Sequence, residues 1–206
     1  RDRDVTGVQT CALPILSGPY VGETIAKALK MGENNACMKR IVAAPTAGSC
    51  GVLPAVLLTY EEQKQADMDR MVEAMFVASG IGVVISIRAF LAGAAGGCQA
   101  EIGSASAMAA GALAYLQGGS GEAIAHASAL TLKNLLGLVC DPVAGLVEVP
   151  CVKRNVVGAV NAIASADMAI AGVRSQIPPD EVIDAVREVG EQMPRTLRET
   201  GEGGLA

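Results

Sequence analysis

The sequence has no Trp, one His, and only five aromatic residues among 206. Core volume must therefore come from Ala, Val, Ile, Leu and Met. That composition favours closely packed helices over aromatic-rich strands. Charge is sparse too, at 18% of residues, with a net charge of −5 and no basic cluster, which argues against a nucleic-acid surface. No alternating pattern persists beyond four or five residues, so no strand is predicted. There is no Gly-Lys-Ser/Thr after a Gly-rich loop, no nucleophile elbow, and no C-x-x-C pair. These absences exclude a P-loop, a nucleophilic triad of the hydrolase kind, and a thioredoxin-like or zinc-ribbon thiol pair.

What is present is apolar and small. Hydrophobic residues make up 51% of the chain and glycine contributes 24 residues, which excludes a disordered chain. The length suits one domain able to bury a core. Mean hydropathy is +0.39, which raises the question of a membrane span. The uncharged run Ile102–Gly121 carries five Gly, three Ser and a Gln, and the more apolar Ala74–Ile87 is 14 residues long. Neither reads as a span, and no signal-peptide pattern opens the chain. The expectation is a soluble cytoplasmic protein without membrane or nucleic-acid partners. Its six Cys then read as ligands or buried thiols rather than disulfides.

Periodicity and punctuation predict an all-α fold. Helices are expected at Tyr20–Met31, Pro54–Gln63, Met68–Phe90, Gln99–Leu116, from Gly121 to Leu138 behind an N-cap at Ser120, at Asn155–Ala171, and from Pro179 to Met193. The third should start at an Asp67 cap and be buried nearly all round from Phe76, with Gly80 and Gly82 marking a kink or a close contact. Gly103, Ala107 and Gly111 recur every four residues, a smooth stripe that lets another backbone approach closely. The connecting loops are rich in Gly and Pro, including 41–54, 93–98 and 140–151. Arg1–Ile15 fits none of this. Val5–Ile15 matches the translation of a sequencing-library adaptor, so residues 1–15 are expected to be a non-native tail, with Cys11 carrying no function.

Chemistry points first to cysteine. Cys98, Cys140 and Cys151 each lie at a predicted helix boundary, 42 and 11 residues apart. Cys98 stands at a helix N-terminus, which favours the thiolate. Three ligands to a metal or cluster, or three buried thiols acting as small hydrophobes, both fit this spacing. Cys37 and Cys50 read as structural. The loop Thr46-Ala47-Gly48-Ser49 offers hydroxyls and amides that suit a carboxylate or phosphate; an ordinary capped turn fits equally. Lys153 and Arg154 could offset thiolate charge or orient a substrate carboxylate, and a solvated pair is the competing reading. His126, flanked by Ala, reads as either a packed histidine or a base. Glu101, Asp141 and Glu148 are placed to support the cysteines.

The segments GAAGGCQAEIGSASAMAA, LKNLLGLVCDPVAGLVEVPCVKRN and MPRTLRETGEGGLA strongly resemble the α-subunit, or catalytic domain, of the iron–sulfur-dependent bacterial L-serine dehydratases. The resemblance covers about residues 16–206. It implies a helical catalytic domain whose [4Fe–4S] cluster is bound by three cysteines matching Cys98, Cys140 and Cys151. It implies L-serine as substrate, converted to pyruvate and ammonia without pyridoxal phosphate, and a substrate loop at Thr46–Ser49. The base is left open between His126, Lys153 and a group outside this chain. It also implies an oligomer, a regulatory β-subunit or domain, and a Ser/Gly-rich segment before residue 16, so a fragment open at both ends is expected. A cysteine desulfhydrase of the same superfamily and a zinc-binding helical module are the alternatives.

Overall fold

The computed structural model describes residues 16–140, 142–143 and 148–204; the proposed tail at 1–15 lies outside them. These residues form helices α1 (Gly18–Ala36), α2 (Val52–Lys64), α3 (Met68–Arg88), α4 (Gly93–Gly96), α5 (Cys98–Leu116), α6 (Gly121–Asn134), α7 (Glu148–Ile170) and α8 (Pro179–Gln192), with a 3-10 turn at Arg195–Leu197 and no strand among the described residues.

The fold is organised around α5. Every residue from Cys98 to Ala114 is buried, because α2, α3, α6 and α7 all pack against it. A helix surrounded on all sides must be small on all sides, and its Ala, Gly and Ser content meets that demand. Gly111 lies in the tightest approach: a Cβ there would stand 2.1 Å from Ile81 Cδ1 and 3.1 Å from Ser128 Oγ. The predicted small-residue stripe is thus the seam where α3 and α6 meet α5. Ser106 donates to the Gly158 carbonyl of α7, and Ser128 of α6 to the Ala107 carbonyl, so hydroxyls fasten the same seams.

Helix ends follow local chemistry in places and depart from it in others. Ser120 caps α6 as expected, accepting from Ala123 N–H at 3.2 Å, whereas the Asp67 side chain makes no capping bond to α3. α6 ends at Asn134, four residues before the expected Leu138, and Gly137 follows at a φ of +81°. α7 begins at Glu148, well before the expected Asn155. Proline in the first turn lacks only an N–H that the helix leaves free, so Pro150 opens this helix instead of breaking a loop. Cys151 consequently lies on a helix rather than in a connecting loop. The expected burial of α3 is also corrected. Its inner stripe of Met71, Ala74, Ala78, Gly82 and Ile85 is buried, while Phe76 and Ile87 are 75% and 78% exposed. One face of α3 packs on α5 and the other is bare, although α3 is long and apolar enough to cross a membrane.

Candidate metal centre

The N-terminus of α5 is built by a glycine. Gly97 adopts φ +76°, ψ −178°, a conformation closed to residues with a Cβ, and it turns the chain so that Cys98 becomes the first residue of α5. Gln99, also buried, then fixes the neighbouring loop. Its backbone N–H donates to the Leu138 carbonyl at 2.9 Å, its Oε1 accepts from Gly137 N–H at 2.8 Å, and its Nε2 donates to the Val186 carbonyl of α8 at 3.0 Å. This anchors the chain just before Cys140. Cys140 itself is held by the C-terminal segment: its N–H donates to the Leu197 carbonyl at 3.0 Å and its carbonyl accepts from Glu199 N–H at 2.7 Å. The Arg154 guanidinium donates to the Val139 carbonyl at 2.7 Å. Cys151 lies in the first turn of α7.

The structure brings these three cysteines together. Cys98 and Cys140 are fully buried, Cys151 is 4% exposed, and their thiols hydrogen-bond one another. Hydrogen bonds from Cys140 and Cys151 pull the Cys98 thiol down to about 3, against the opposing effect of burial and with help from the Arg154 charge. One negative charge fits this dry space and two do not. Cys140 is accordingly raised: the Cys151 thiol favours its ionisation, and the Cys98 thiolate together with burial outweighs it. Cys151 is raised by both neighbouring sulfurs and by burial.

A carboxylate completes the group. One side-chain oxygen of Glu101 and the sulfurs of Cys98 and Cys151 all lie within 4.8 Å of one another. Three residues after Cys98, Glu101 shares its face of α5. Thr46 Oγ1 donates to Glu101 Oε1 at 2.5 Å and lies 2.9 Å from Ser49 Oγ. Glu101 Oε2 is buried without a hydrogen-bond partner. Burial raises the Glu101 carboxyl, the Thr46 hydroxyl opposes this, and the Cys98 charge adds to it. Gly48 makes room for that carboxylate, since a Cβ there would come within 2.5 Å of Oε2. At Gly93 a Cβ would stand 3.3 Å from Glu199 Oε2, 3.4 Å from Cys140 Sγ and 3.4 Å from Glu101 Oε2. The missing side chain thus leaves a cradle edged by sulfur and carboxylate. Buried soft sulfur donors, an unpaired carboxylate oxygen and this cradle suit a thiolate-bound metal or cluster.

Other predicted residues distribute unevenly. The Thr46–Ser49 loop reaches the centre through Glu101 and also through Asn155. The Asn155 amide donates to the Gly48 and Cys151 carbonyls, each at 2.8 Å, and accepts from Gly51 N–H at 2.8 Å. His126 is not gathered there. Its α6 neighbours Ile124 and Ser128 pack beside Gly111, and α5 rises about 20 Å between Cys98 and Gly111. His126 faces a separate cavity of about 350 Å³ with Glu122 and Arg174. Lys153 is exposed, whereas its neighbour Arg154 is partly buried. Cys37 is exposed. The Cys50 thiol is buried, pushed up to about 11 by desolvation, and faces the Met31 carbonyl at 3.7 Å. Asp141 and the side chain of Glu148 lie outside the described residues. Asn155, Gln99 and Glu199 escape sequence reasoning. Nothing in an Asn or Gln inside a helix announces a triple tie, and Glu199 comes close only because the chain folds back.

Comparison with known proteins places the chain in a family. Residues 5–206 match the family model described as "Serine dehydratase alpha chain". Over 191 residues the chain is 56% identical to the "Probable L-serine dehydratase, alpha chain" of Bacillus subtilis (strain 168), covering 93% of this chain and 64% of that protein. It is 55% identical over 184 residues to the "Probable L-serine dehydratase, alpha chain" of Latilactobacillus sakei, covering 89% and 88%. It is 52% identical over 189 residues to the "L-serine dehydratase, alpha chain" of Peptoniphilus asaccharolyticus, covering 92% and 65%. The chain thus spans just under two thirds of the Bacillus and Peptoniphilus proteins.

Proposed function

This chain belongs to the serine dehydratase alpha chain family, and on that premise we propose that it carries the metal centre of an L-serine dehydratase, which converts L-serine to pyruvate and ammonia. The carrying observation is the convergence of Cys98, Cys140 and Cys151 in one buried site. These three residues hold a [4Fe–4S] cluster and leave one iron without a thiol ligand. The cluster supplies a Lewis acid that makes the substrate β-hydroxyl a better leaving group.

The rest of the work falls to the polypeptide. Thr46 and Ser49 place two hydroxyls beside Glu101, and the Thr46-Ala47-Gly48-Ser49 loop receives the substrate α-carboxylate through those hydroxyls and its amides. Asn155 holds this loop in register with Cys151, so the distance from the carboxylate grip to the metal rim is fixed by one side chain. Arg154 lowers the cost of negative charge on the sulfurs. The general base is left unassigned: His126 faces a separate cavity and Lys153 is exposed. Loss of the α-proton and of hydroxide from serine yields aminoacrylate and water; its imine tautomer takes up water to give pyruvate and ammonia. The reading includes a β-subunit or regulatory domain as partner and a cytoplasmic location, supported by the family and the alpha-chain name of its relatives.

Anaerobic reconstitution with iron and sulfide tests the assignment, with and without the cognate second subunit. The wild type should turn brown and bind iron and sulfide, and pyruvate should form from serine faster than from cysteine. Cys98→Ala, Cys140→Ala and Cys151→Ala should each lose most of the bound iron while keeping their helical circular dichroism. A colourless protein that binds stoichiometric zinc in preference to iron overturns the cluster. Faster release of sulfide from cysteine than of water from serine overturns the substrate.

A further inference from the structure

Glu101 is the least explained group in the molecule. Only 6% exposed, it sits on a helix buried along nearly its whole length. A carboxylate taken out of water is costly unless its oxygens find partners. Glu101 Oε1 has one in Thr46 Oγ1; Oε2, equally buried, has none. The protein makes deliberate room for this strained arrangement. Gly48 lets the carboxylate lie against the loop backbone, and Gly93 leaves open the space beside Oε2. Oxygen and sulfur donors from Glu101, Cys98 and Cys151 fall within 4.8 Å of one another, close enough to share a metal centre. Glu199 is the rival carboxylate, and it is more exposed than Glu101.

We propose that Glu101 Oε2 is the resident ligand of the iron that Cys98, Cys140 and Cys151 leave without a thiol, and that it gives up this position when substrate binds. The proposal rests on the cluster reading above. It assigns Glu101 a positioning and gating role at the metal. Thr46 then has two tasks: it steadies the carboxylate through Oε1 in the resting protein, and it belongs to the loop that receives substrate. Arrival of the substrate carboxylate at Thr46 and release of Oε2 from the metal become one event.

The test is spectroscopic. Protein is produced with glutamate isotopically labelled at its side-chain carboxyl carbon, loaded anaerobically with iron and sulfide, reduced, and studied by electron–nuclear double resonance. Wild type, Glu101→Gln and Glu199→Gln are compared at matched iron content. A hyperfine coupling to labelled carboxyl carbon is expected in wild type and Glu199→Gln, absent in Glu101→Gln, and lost from wild type on adding L-serine. No coupling in iron-loaded wild type, or a coupling that survives in Glu101→Gln, overturns the proposal and leaves the cluster reading standing. Wild type that takes up no iron sinks the cluster reading and this proposal with it. Should Glu101→Gln fail to fold, the Glu199→Gln protein decides: a retained coupling supports Glu101, a lost one overturns it.

Discussion

Asn155 spends one amide on three backbone partners, Gly48, Gly51 and Cys151, and is 1% exposed. Asn155→Leu would take their side-chain partner from the Gly48 carbonyl and the Gly51 N–H, at about 1–3 kcal/mol each before relaxation. Chemical denaturation of the metal-free protein should show a net loss of about 3 kcal/mol. The thiols make a second prediction. In the metal-free fold Cys98 ionises near 3, whereas an unfolded thiol ionises near 8.5. Between these values the folded state binds fewer protons, so stability rises with pH across this window and is lost as pH falls through about 3. Cys98→Ser should flatten that rise, and the thiolate absorbance of the folded protein at neutral pH should disappear with it. Cys98 at a helix start was legible in the sequence, and so were Glu101 and Arg154 as its company. The Asn155 tie was not, because its three partners are distant in the chain or belong to the backbone, which carries no side-chain signature.

Among the helices, glycine separates fold from site. Gly80 on α3 has nothing within 4 Å of the place a Cβ would occupy, whereas the corresponding place at Gly82 is 3.0 Å from Met108 Sδ. Gly80→Ala should therefore stabilise the protein by about 0.5–1 kcal/mol through helix propensity alone, read as an upward shift in Tm. Gly97→Ala should do the reverse, because its backbone conformation is closed to alanine and the added Cβ would meet Met193 Sδ at 2.7 Å and the Leu138 carbonyl at 2.9 Å. A loss of about 3 kcal/mol is expected, with weaker iron retention since Gly97 aims Cys98. The helices themselves were readable from apolar spacing and caps. What misled was α3, whose apolar composition suggested burial although only one stripe has a partner. The start of α7 was hidden because Pro150 reads as a loop residue when it stands in a first turn.

At the scale of the whole molecule, the last described segment closes the centre. Arg198 donates to the Glu191 carbonyl at 3.0 Å, to the Ala95 carbonyl at 3.3 Å and to the Met193 carbonyl at 2.6 Å, while its neighbours Leu197 and Glu199 clamp Cys140. Arg198→Ala should cost about 2 kcal/mol and speed iron loss to a chelator severalfold, with the stoichiometry of freshly loaded protein unchanged. Family membership follows from nearly the full chain, yet no local pattern joins residue 199 to residue 140; only the folded path does. The clamp fixes an order of events in synthesis. Cys140 gains its two backbone partners, Leu197 and Glu199, only once residue 199 has cleared the ribosome, so the seat is completed later than the three cysteines themselves emerge. A metal donor that met the chain when only Cys151 had emerged would therefore meet an unfinished pocket.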